Sequence, residues 1–180
     1  RKKDKVIYDA IRGAALRKTD ESGTFSGVSL SGSQVIAAGG TGMTKAKIIT
    51  AKKQFRTNEA DEHNGEDLYI AYDAGMMEDI LSDTTLTSAD YMAAKMLQEG
   101  DISGKWLGFN WVPYEALTGT STKTTVAWAK SGVHVGTGQN VTTDIGPRRD
   151  KRNLIQIYVA MSLGSVRVNE LKAMTIDYVV

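Results

Sequence analysis

The chain has 180 residues, a formal net charge of +1 from 22 lysines and arginines against 21 acids, and no cysteine. With 41% apolar residues, this is the composition of a globular protein of one domain or two small ones, which excludes wholesale disorder. The absence of cysteine excludes disulfides and thiol chemistry, and the balanced charge argues against a general nucleic-acid binder. No apolar run approaches the roughly 20 residues of a membrane span, so we expect no membrane partner.

The first 15 residues are predicted to form the end of a helix. One apolar stripe has helical spacing, and its members are Val6, Ile7, Ala10, Ile11 and Ala14. No capping residue precedes the helix and position 1 is not Met, so we expect the helix to begin upstream of Arg1. Residues 18–43 are rich in Gly, Ser and Thr, which predicts a loop or weak strands and a candidate subdomain boundary.

The middle of the chain alternates helices and short strands. Thr44 is predicted to cap a helix that ends at Thr57, and an acidic turn follows over 58–67. A buried strand is expected at 68–72, after which Asp73 caps a helix whose buried face carries Met76 and Ile80. Another helix is predicted over 87–100.

The last 80 residues change to a period of two, which is typical of strands. Leu107, Phe109 and Trp111 share one predicted strand face. Residues 118–125 read as a polar loop, 125–135 as a short helix or strand with a turn at Gly132, and 141–145 as a strand. The longest strand is predicted from Leu154 onward with one strongly apolar side, on which we expect Ile157 to be buried. A final strand covers 172–179, so the fold class is α+β.

A glycine-rich segment precedes the second predicted helix, with the sequence GGTGMTK at residues 39–45. A phosphate-binding P-loop requires Gly-x-x-x-x-Gly-Lys-Ser/Thr after a strand, and here Lys45 follows Thr44 rather than Gly. The spacing favours a flexible hinge, and a small nucleotide-binding enzyme remains an alternative.

No pattern predicts a catalytic, cofactor or metal site. His63 and His134 are the only histidines and lie far apart, and the acidic segment around His63 lacks the ligand spacing of a calcium loop. No Gly-x-Ser-x-Gly elbow is present. We therefore expect a protein that is not an enzyme and has no cofactor.

A charged turn separates the two strands predicted on either side of residues 146–153. With its flanks at 144–153 it holds four cations and two acids, and the cations are Arg148, Arg149, Lys151 and Arg152. Three interpretations remain open: a solvated hairpin, an ion-pairing contact with another subunit, and a nucleic-acid patch. The third has the least support because no aromatic residue interleaves with the cations. These four cations are the candidate subunit-interface residues.

Four segments in register resemble the major capsid proteins of tailed bacteriophages with the Hong Kong 97-like fold, over what would be their C-terminal two thirds. The first segment is DLYIAYDAGMMEDIL at residues 67–81, the second is residues 86–102, which begin with LTSADY, and the third is WLGFNWV at 106–112. The fourth begins with VAWAKSGV at 126–133 and continues through RDKRNLIQIY at 149–158 and MSLGSVR at 161–167. The helix over 1–15 resembles the end of that family's spine helix.

The resemblance implies an icosahedral shell protein that encloses phage double-stranded DNA. It implies an axial domain over residues 44–130, and a peripheral domain with the spine helix and long β-sheet. Residues 1–43 would hold the end of the spine helix and a peripheral segment, and residues 131–180 the return strands. The family's N-terminal arm, extended loop and most of the spine helix have no counterpart in this sequence. An encapsulin-type compartment shell, which shares the fold, is the alternative.

The resemblance also implies partners and a location. The subunit would form hexameric and pentameric capsomers, meet scaffolding and portal proteins, and touch packaged DNA without sequence preference. It would be found in the virion, after assembly in the cytoplasm of a bacterial host.

Overall fold

The computed structural model describes residues 2–18, 21–82, 102 and 104–180, so the helix predicted over 87–100 lies outside the described residues. The helices are α1 (Lys2–Arg12), α2 (Lys45–Thr57) and α3 (Ala74–Ser82). The strands are β1 (Ala15–Lys18), β2 (Phe25–Val28), β3 (Val35–Ile36), β4 (Leu68–Tyr72), β5 (Lys105–Trp106), β6 (Phe109–Pro113), β7 (Thr122–Ala129), β8 (Val133–Arg148), β9 (Leu154–Arg167) and β10 (Ala173–Val179). The predicted α+β class is confirmed. None of the described helices has the length and apolar character needed to cross a bilayer.

The core is built on a six-stranded mixed sheet with the strand order β3-β10-β7-β4-β6-β5. Strand β10 pairs antiparallel with β7 and parallel with β3, while β4 pairs antiparallel with β7 and parallel with β6. Central strands are covered on both faces, and β10 is accordingly buried from Ala173 through Ile176. Strands from distant parts of the chain therefore share one hydrophobic core.

The predicted second helix is confirmed with its cap. The Thr44 side-chain oxygen accepts the backbone N–H of Lys47 at 3.4 Å. Three side chains at helical spacing, Ile48, Ala51 and Phe55, are buried against the sheet. The Phe55 ring meets the ring of Phe109 edge-on at 5.9 Å between centroids.

The start of α3 is fixed by a buried carboxylate. Asp73 Oδ1 accepts the backbone N–H of Met76 at 2.9 Å, as predicted for a capping residue, and Asp73 Oδ2 lies 2.6 Å from Lys123 Nζ. Burial alone would raise the pKa of Asp73, but the hydrogen bonds from Lys123 and the Met76 amide outweigh it and hold the pKa below its usual value. Folding therefore favours the ionised form of Asp73.

The low pKa of Asp73 predicts a pH dependence of stability. A carboxyl whose pKa is depressed on folding adds stability above its unfolded pKa near 4, and this stability is lost as the pH falls through the folded value. We expect Asp73→Asn to cost about 2 kcal/mol at pH 7 and to lose less further stability than wild type between pH 5 and 3. Urea unfolding at several pH values measures both. Glu78→Gln, on the exposed side of α3, is the control; equal slopes for wild type and Asp73→Asn would contradict the assignment.

Several strand boundaries differ from the prediction, and β8 covers Val133–Arg148 instead of residues 141–145 alone. Leu107 and Gly108 have left-handed φ values of 50° and 82° and form the turn between β5 and β6, so Leu107 does not share a strand face with Phe109 and Trp111. Strand β7 begins at Thr122, inside the predicted polar loop. Its threonines pair with β10, where branched side chains suit a strand despite their polarity.

The glycine-rich segment 18–43 is tied to the core by a polar side chain. Strands β1 and β2 form a short antiparallel hairpin, and β3 joins the edge of the central sheet beside β10. The buried polar residue here is Gln34, whose side-chain amide donates to the backbone oxygen of Glu170. Val35 is exposed, because the strand is only two residues long and turns this side chain outward.

Candidate assembly surface

A long antiparallel hairpin, β8 with β9, is the largest structure outside the central sheet, and its residues 133–167 are called the arm. Its pairing runs from Val133 opposite Arg167 to Arg148 opposite Leu154. At about 3.3 Å per residue, its 16-residue strand spans roughly 50 Å. The arm continues the adjacent strands β7 and β10 and is joined to them by two short turns, Lys130–Gly132 and Glu170–Lys172. It is therefore rooted in the middle of the core.

The outer half of the arm exposes apolar side chains on both faces. Directly paired residues share a face, so Ile145 lies beside Ile157 and Pro147 beside Ile155. Ile155, Ile157 and Ile145 are 76%, 68% and 64% exposed. The opposite face carries exposed Leu154 and Tyr158. A contiguous apolar surface of this kind is typical of a protein-protein interaction site.

The predicted burial of Ile157 is wrong for the single chain. The alternation correctly indicated a long strand with one strongly apolar side, but no layer of the described residues covers that side at Ile157. A period of two reports which side chains share a face, and it does not distinguish a face covered by the same chain from one covered by another molecule.

The four candidate interface cations lie in the turn at the far end of the arm. This turn, residues 148–153, together with Leu154 and Ile155 is called the arm tip. The Arg148 guanidinium donates to both carboxylate oxygens of Asp150 at 2.8–3.1 Å. Within the described residues, Arg149, Lys151 and Arg152 make no salt bridge. One cation of the four is thus already paired within the turn, and three face outward.

The root of the arm is locked by Arg167. This buried guanidinium donates to the backbone oxygens of Ile11 and Gly13 at 2.7 Å and of Val28 at 2.8 Å, and it lies 2.9 Å from a carboxylate oxygen of Glu170. It therefore joins the C-terminal end of α1 and strand β2 to the root of the arm. Sequence reasoning missed this residue, although a cation that closes an apolar strand is a signal for such a role.

A second fixed point lies at the turn after β7. A Cβ atom at Gly132 would come 2.7 Å from the backbone oxygen of Lys172, so the two turns at the root pack too closely for a side chain here. Glu66 adds a polar clamp, because its carboxylate accepts from Lys172 Nζ at 2.5 Å and from the Ser131 hydroxyl. These hydrogen bonds, Lys172 first, hold the pKa of Glu66 below its usual value.

The glycine-rich loop 38–43 is closed around a lysine of its own chain, and the predicted flexible hinge is not what the structure contains. The buried ammonium of Lys47 donates to the backbone oxygens of Ala38, Thr41 and Gly42 at 2.8–2.9 Å. Burial lowers the pKa of Lys47. A phosphate cradle directs N–H groups inward, whereas here carbonyl oxygens converge on a cation, so this loop lacks the geometry of a nucleotide site.

The two histidines lie on separate exposed elements. His63 is in the turn Glu62–Asn64 and His134 is in β8. The acidic turn is not merely solvated, because buried Asp61 pairs with Arg56 at 2.8 Å and Glu62 pairs with Lys52, which ties the turn to α2. Among the residues that the structure describes, no three His, Asp or Glu side chains are grouped as a metal-ligand set.

Comparisons with known proteins agree on one class of protein, the phage capsid proteins. A family model described as "Phage capsid protein" matches residues 1–180. A chain of Mycobacterium phage Che8 superposes with a TM-score of 0.61 at 20% identity, covering 80% of this chain and 53% of that chain. The mature capsid of bacteriophage PhiM1 matches with a TM-score of 0.57 at 13% identity, covering 97% of this chain and 59% of that one. The search of curated proteins gave no match.

An encapsulin also shares the fold. The SrpI encapsulin of Synechococcus elongatus PCC 7942 matches with a TM-score of 0.53 at 10% identity, covering 83% of this chain and 54% of that chain. The chain thus spans between about half and three fifths of the length of these solved proteins. The predicted Hong Kong 97-like fold and capsid resemblance are confirmed, and the match along its entire length shows that the chain belongs to the phage capsid protein family.

Proposed function

We propose that this protein is a coat subunit that assembles with copies of itself into an icosahedral shell around phage double-stranded DNA. The observation that carries the proposal, in a chain of the phage capsid family, is the arm with its exposed apolar side chains. A subunit that meets several neighbours must present apolar surface to each of them, and permanent contacts of this kind bury more than about 2,000 Å².

The contacts within such a shell follow from symmetry. A ring of identical subunits, hexameric or pentameric, uses heterologous contacts in which a surface of one copy meets a different surface of the next. An arm rooted in the core and a separate body provide two such surfaces. We assign residues 44–130 to an axial domain at the ring centre. Residues 1–43 and 131–180 would form most of the peripheral part, which is consistent with Arg167 joining α1 to the arm, while β3 and β10 from these ranges pair within the central sheet.

We further propose scaffolding and portal proteins as partners, with non-specific contact to DNA. The location is the virion, after assembly in the host cytoplasm. The near-neutral charge supports a shell whose subunits pack densely, because strong like charge would oppose close approach. The role is structural rather than enzymatic, and the loop closed around Lys47 supports this inference.

An encapsulin-type compartment is the second candidate, favoured by the fold shared with the Synechococcus protein. The two candidates differ in what the particle holds and in its size. A phage shell encloses nuclease-protected DNA, whereas a compartment encloses protein cargo and is smaller.

The test is expression of the whole gene product that carries this sequence, followed by sedimentation and negative-stain microscopy. We expect closed icosahedral particles and, from infected cells, particles whose DNA survives nuclease treatment. Small particles that copurify with one protein cargo would favour the compartment. A monomer under all assembly conditions would overturn both candidates.

A further inference from the structure

We propose that the arm tip of one subunit docks on an apolar groove beside α1 of a neighbouring subunit, with its cations paired to the acidic rim of that groove. This inference rests on the proposed function and names the two surfaces that meet. Its parts are the groove, the rim, the charge of the tip and the reach of the arm.

The groove lies between α1 and the central sheet and has a volume of about 230 Å³. Apolar and aromatic side chains line most of it, among them Ile7, Tyr8, Val112, Pro113, Tyr114 and Trp128. Val112 and Pro113 are exposed, although Phe109 and Trp111 of the same strand are buried in the core. The groove can therefore accept an apolar side chain from outside, of the kind that the arm tip exposes at Leu154 and Ile155.

The rim of the groove is acidic. Asp4 lines it, and a depression next to it is bordered by Asp4, Tyr114 and Glu115. Asp9, five residues further along α1 and exposed, lies near enough to act on the Tyr114 phenol. Burial first, and then the charges of Asp9 and Asp4, raise the pKa of Tyr114. These carboxylates, which lie among the lysines of α1, are the groups that would pair with an arriving cation.

The floor of the groove is aromatic. Tyr114 is more than nine-tenths buried, and its ring packs against Tyr8 at 5.2 Å between ring centroids. The Tyr8 hydroxyl donates to the Thr124 backbone oxygen and accepts from the Thr118 amide, which fixes that ring. The Tyr114 hydroxyl is itself buried, so the groove offers aromatic surface rather than a polar group to an incoming segment.

The arm tip has the complementary charge. It carries four cations against the single carboxylate of Asp150, which is occupied by Arg148. The other three cations, Arg149, Lys151 and Arg152, are available to pair with another surface. Cations that face carboxylates across an interface fix its register and raise the rate of encounter. Apolar Leu154 and Ile155 follow directly on opposite faces of β9, so either face of the tip presents one apolar side chain to the groove.

The arm tip reaches another copy rather than its own body. The arm is rooted beside α1, where Arg167 binds the backbone of Ile11 and Gly13, and a paired strand of this length places its tip roughly 50 Å away. A two-stranded ladder paired along its length does not fold back on its root. The contact is thus heterologous and can propagate around a closed ring.

A protein carboxylate surface fits the tip better than DNA. The tip already contains an acid, and its exposed neighbours are Leu154 and Ile155 rather than aromatic side chains that stack on bases. DNA binding is the alternative outcome of the test.

The chain has no cysteine, so introduced pairs report the contact without background. Lys151→Cys in one tagged copy and Glu115→Cys in a second are co-assembled and mildly oxidised. We expect a disulfide-linked heterodimer in the particles. Thr50→Cys, on the exposed side of α2, is the matched control for Glu115→Cys. Paired with Lys151→Cys, it should give at least about tenfold less disulfide-linked dimer. Normal particles without the Lys151–Glu115 product overturn this inference alone, whereas a protein that never forms particles overturns the proposed function with it.

Charge reversal separates a carboxylate partner from DNA. Arg149→Glu with Arg152→Glu should lower assembly at least about tenfold, and Asp9→Arg with Glu115→Arg should restore it in the same chain. All four positions are exposed, and circular dichroism checks that each variant is folded. If the tip variant assembles normally without DNA but loses salt-sensitive DNA binding, the tip is a DNA contact and the proposal is wrong. Failure of the groove reversal to rescue assembly also contradicts it.

Discussion

The substitution Ile157→Asp is expected to leave the chain folded and to abolish shell assembly. Ile157 is 68% exposed beside equally exposed Ile145, so an aspartate there remains hydrated in the single chain and costs no more than about 1 kcal/mol of folding stability. Once another surface covers the arm, the same carboxylate is buried without a partner, at a cost of several kcal/mol for each contact. Every subunit repeats that cost, so the effect on a closed shell is close to complete.

The measurement combines urea unfolding with sedimentation of the assembled product. Ile157→Val, which keeps the apolar surface, should assemble as wild type does. Gln156→Asp introduces the same charge on the opposite face of the same strand and shows whether the block is specific to one face. An Ile157→Asp protein that is unfolded would mean that the single chain itself covers this side of the arm, and one that assembles normally would mean that no neighbour does.

Replacing Arg167 by Met should lower the folding stability more than any of the other substitutions does. The substitution removes a buried guanidinium and leaves the backbone oxygens of Ile11, Gly13 and Val28 without their donors. Glu170 also loses its ion-pair partner. We expect a loss of about 3 kcal/mol, or a midpoint roughly 10 °C lower in a chain of this size.

Arg148→Met is the matched control, because that arginine is paired with Asp150 on the exposed arm tip and its loss should cost less than about 1 kcal/mol. Arg167→Lys should fall between wild type and Arg167→Met, since one ammonium does not reproduce the two-pronged contact of the guanidinium. Thermal melts measured at one protein concentration compare the three variants. Equal midpoints for Arg167→Met and Arg148→Met would contradict the role assigned to Arg167.

Local chemistry made the middle of the fold predictable. Thr44 and Asp73 cap their helices because short polar side chains satisfy the first amides, and the apolar spacing that follows fixes the buried faces at Ile48 and Met76. Strand β4 is equally well marked by a run of apolar and aromatic residues between polar turns. Each of these signals is contained in a segment of about 15 consecutive residues.

The features that position the assembly surface depend instead on distant partners. Arg167 acquires its role from carbonyl groups more than 100 residues away. Pattern and charge located strand β9 and the turn with its four cations, but not the full length of β8 or the solvent exposure of Ile157. The exposure of a strand depends on what packs above it, and this information lies outside its own residues.

The way the arm is rooted has a mechanical consequence. The turns Lys130–Gly132 and Glu170–Lys172 connect β8 and β9 to β7 and β10, so a pull on the outer end of the arm passes into these two core strands. Both strands lie inside the six-stranded sheet, where β7 pairs with β4 and β10, and β10 pairs with β3. In a tiled container, force on one arm would thus be distributed over several hydrogen-bonded ladders of its subunit.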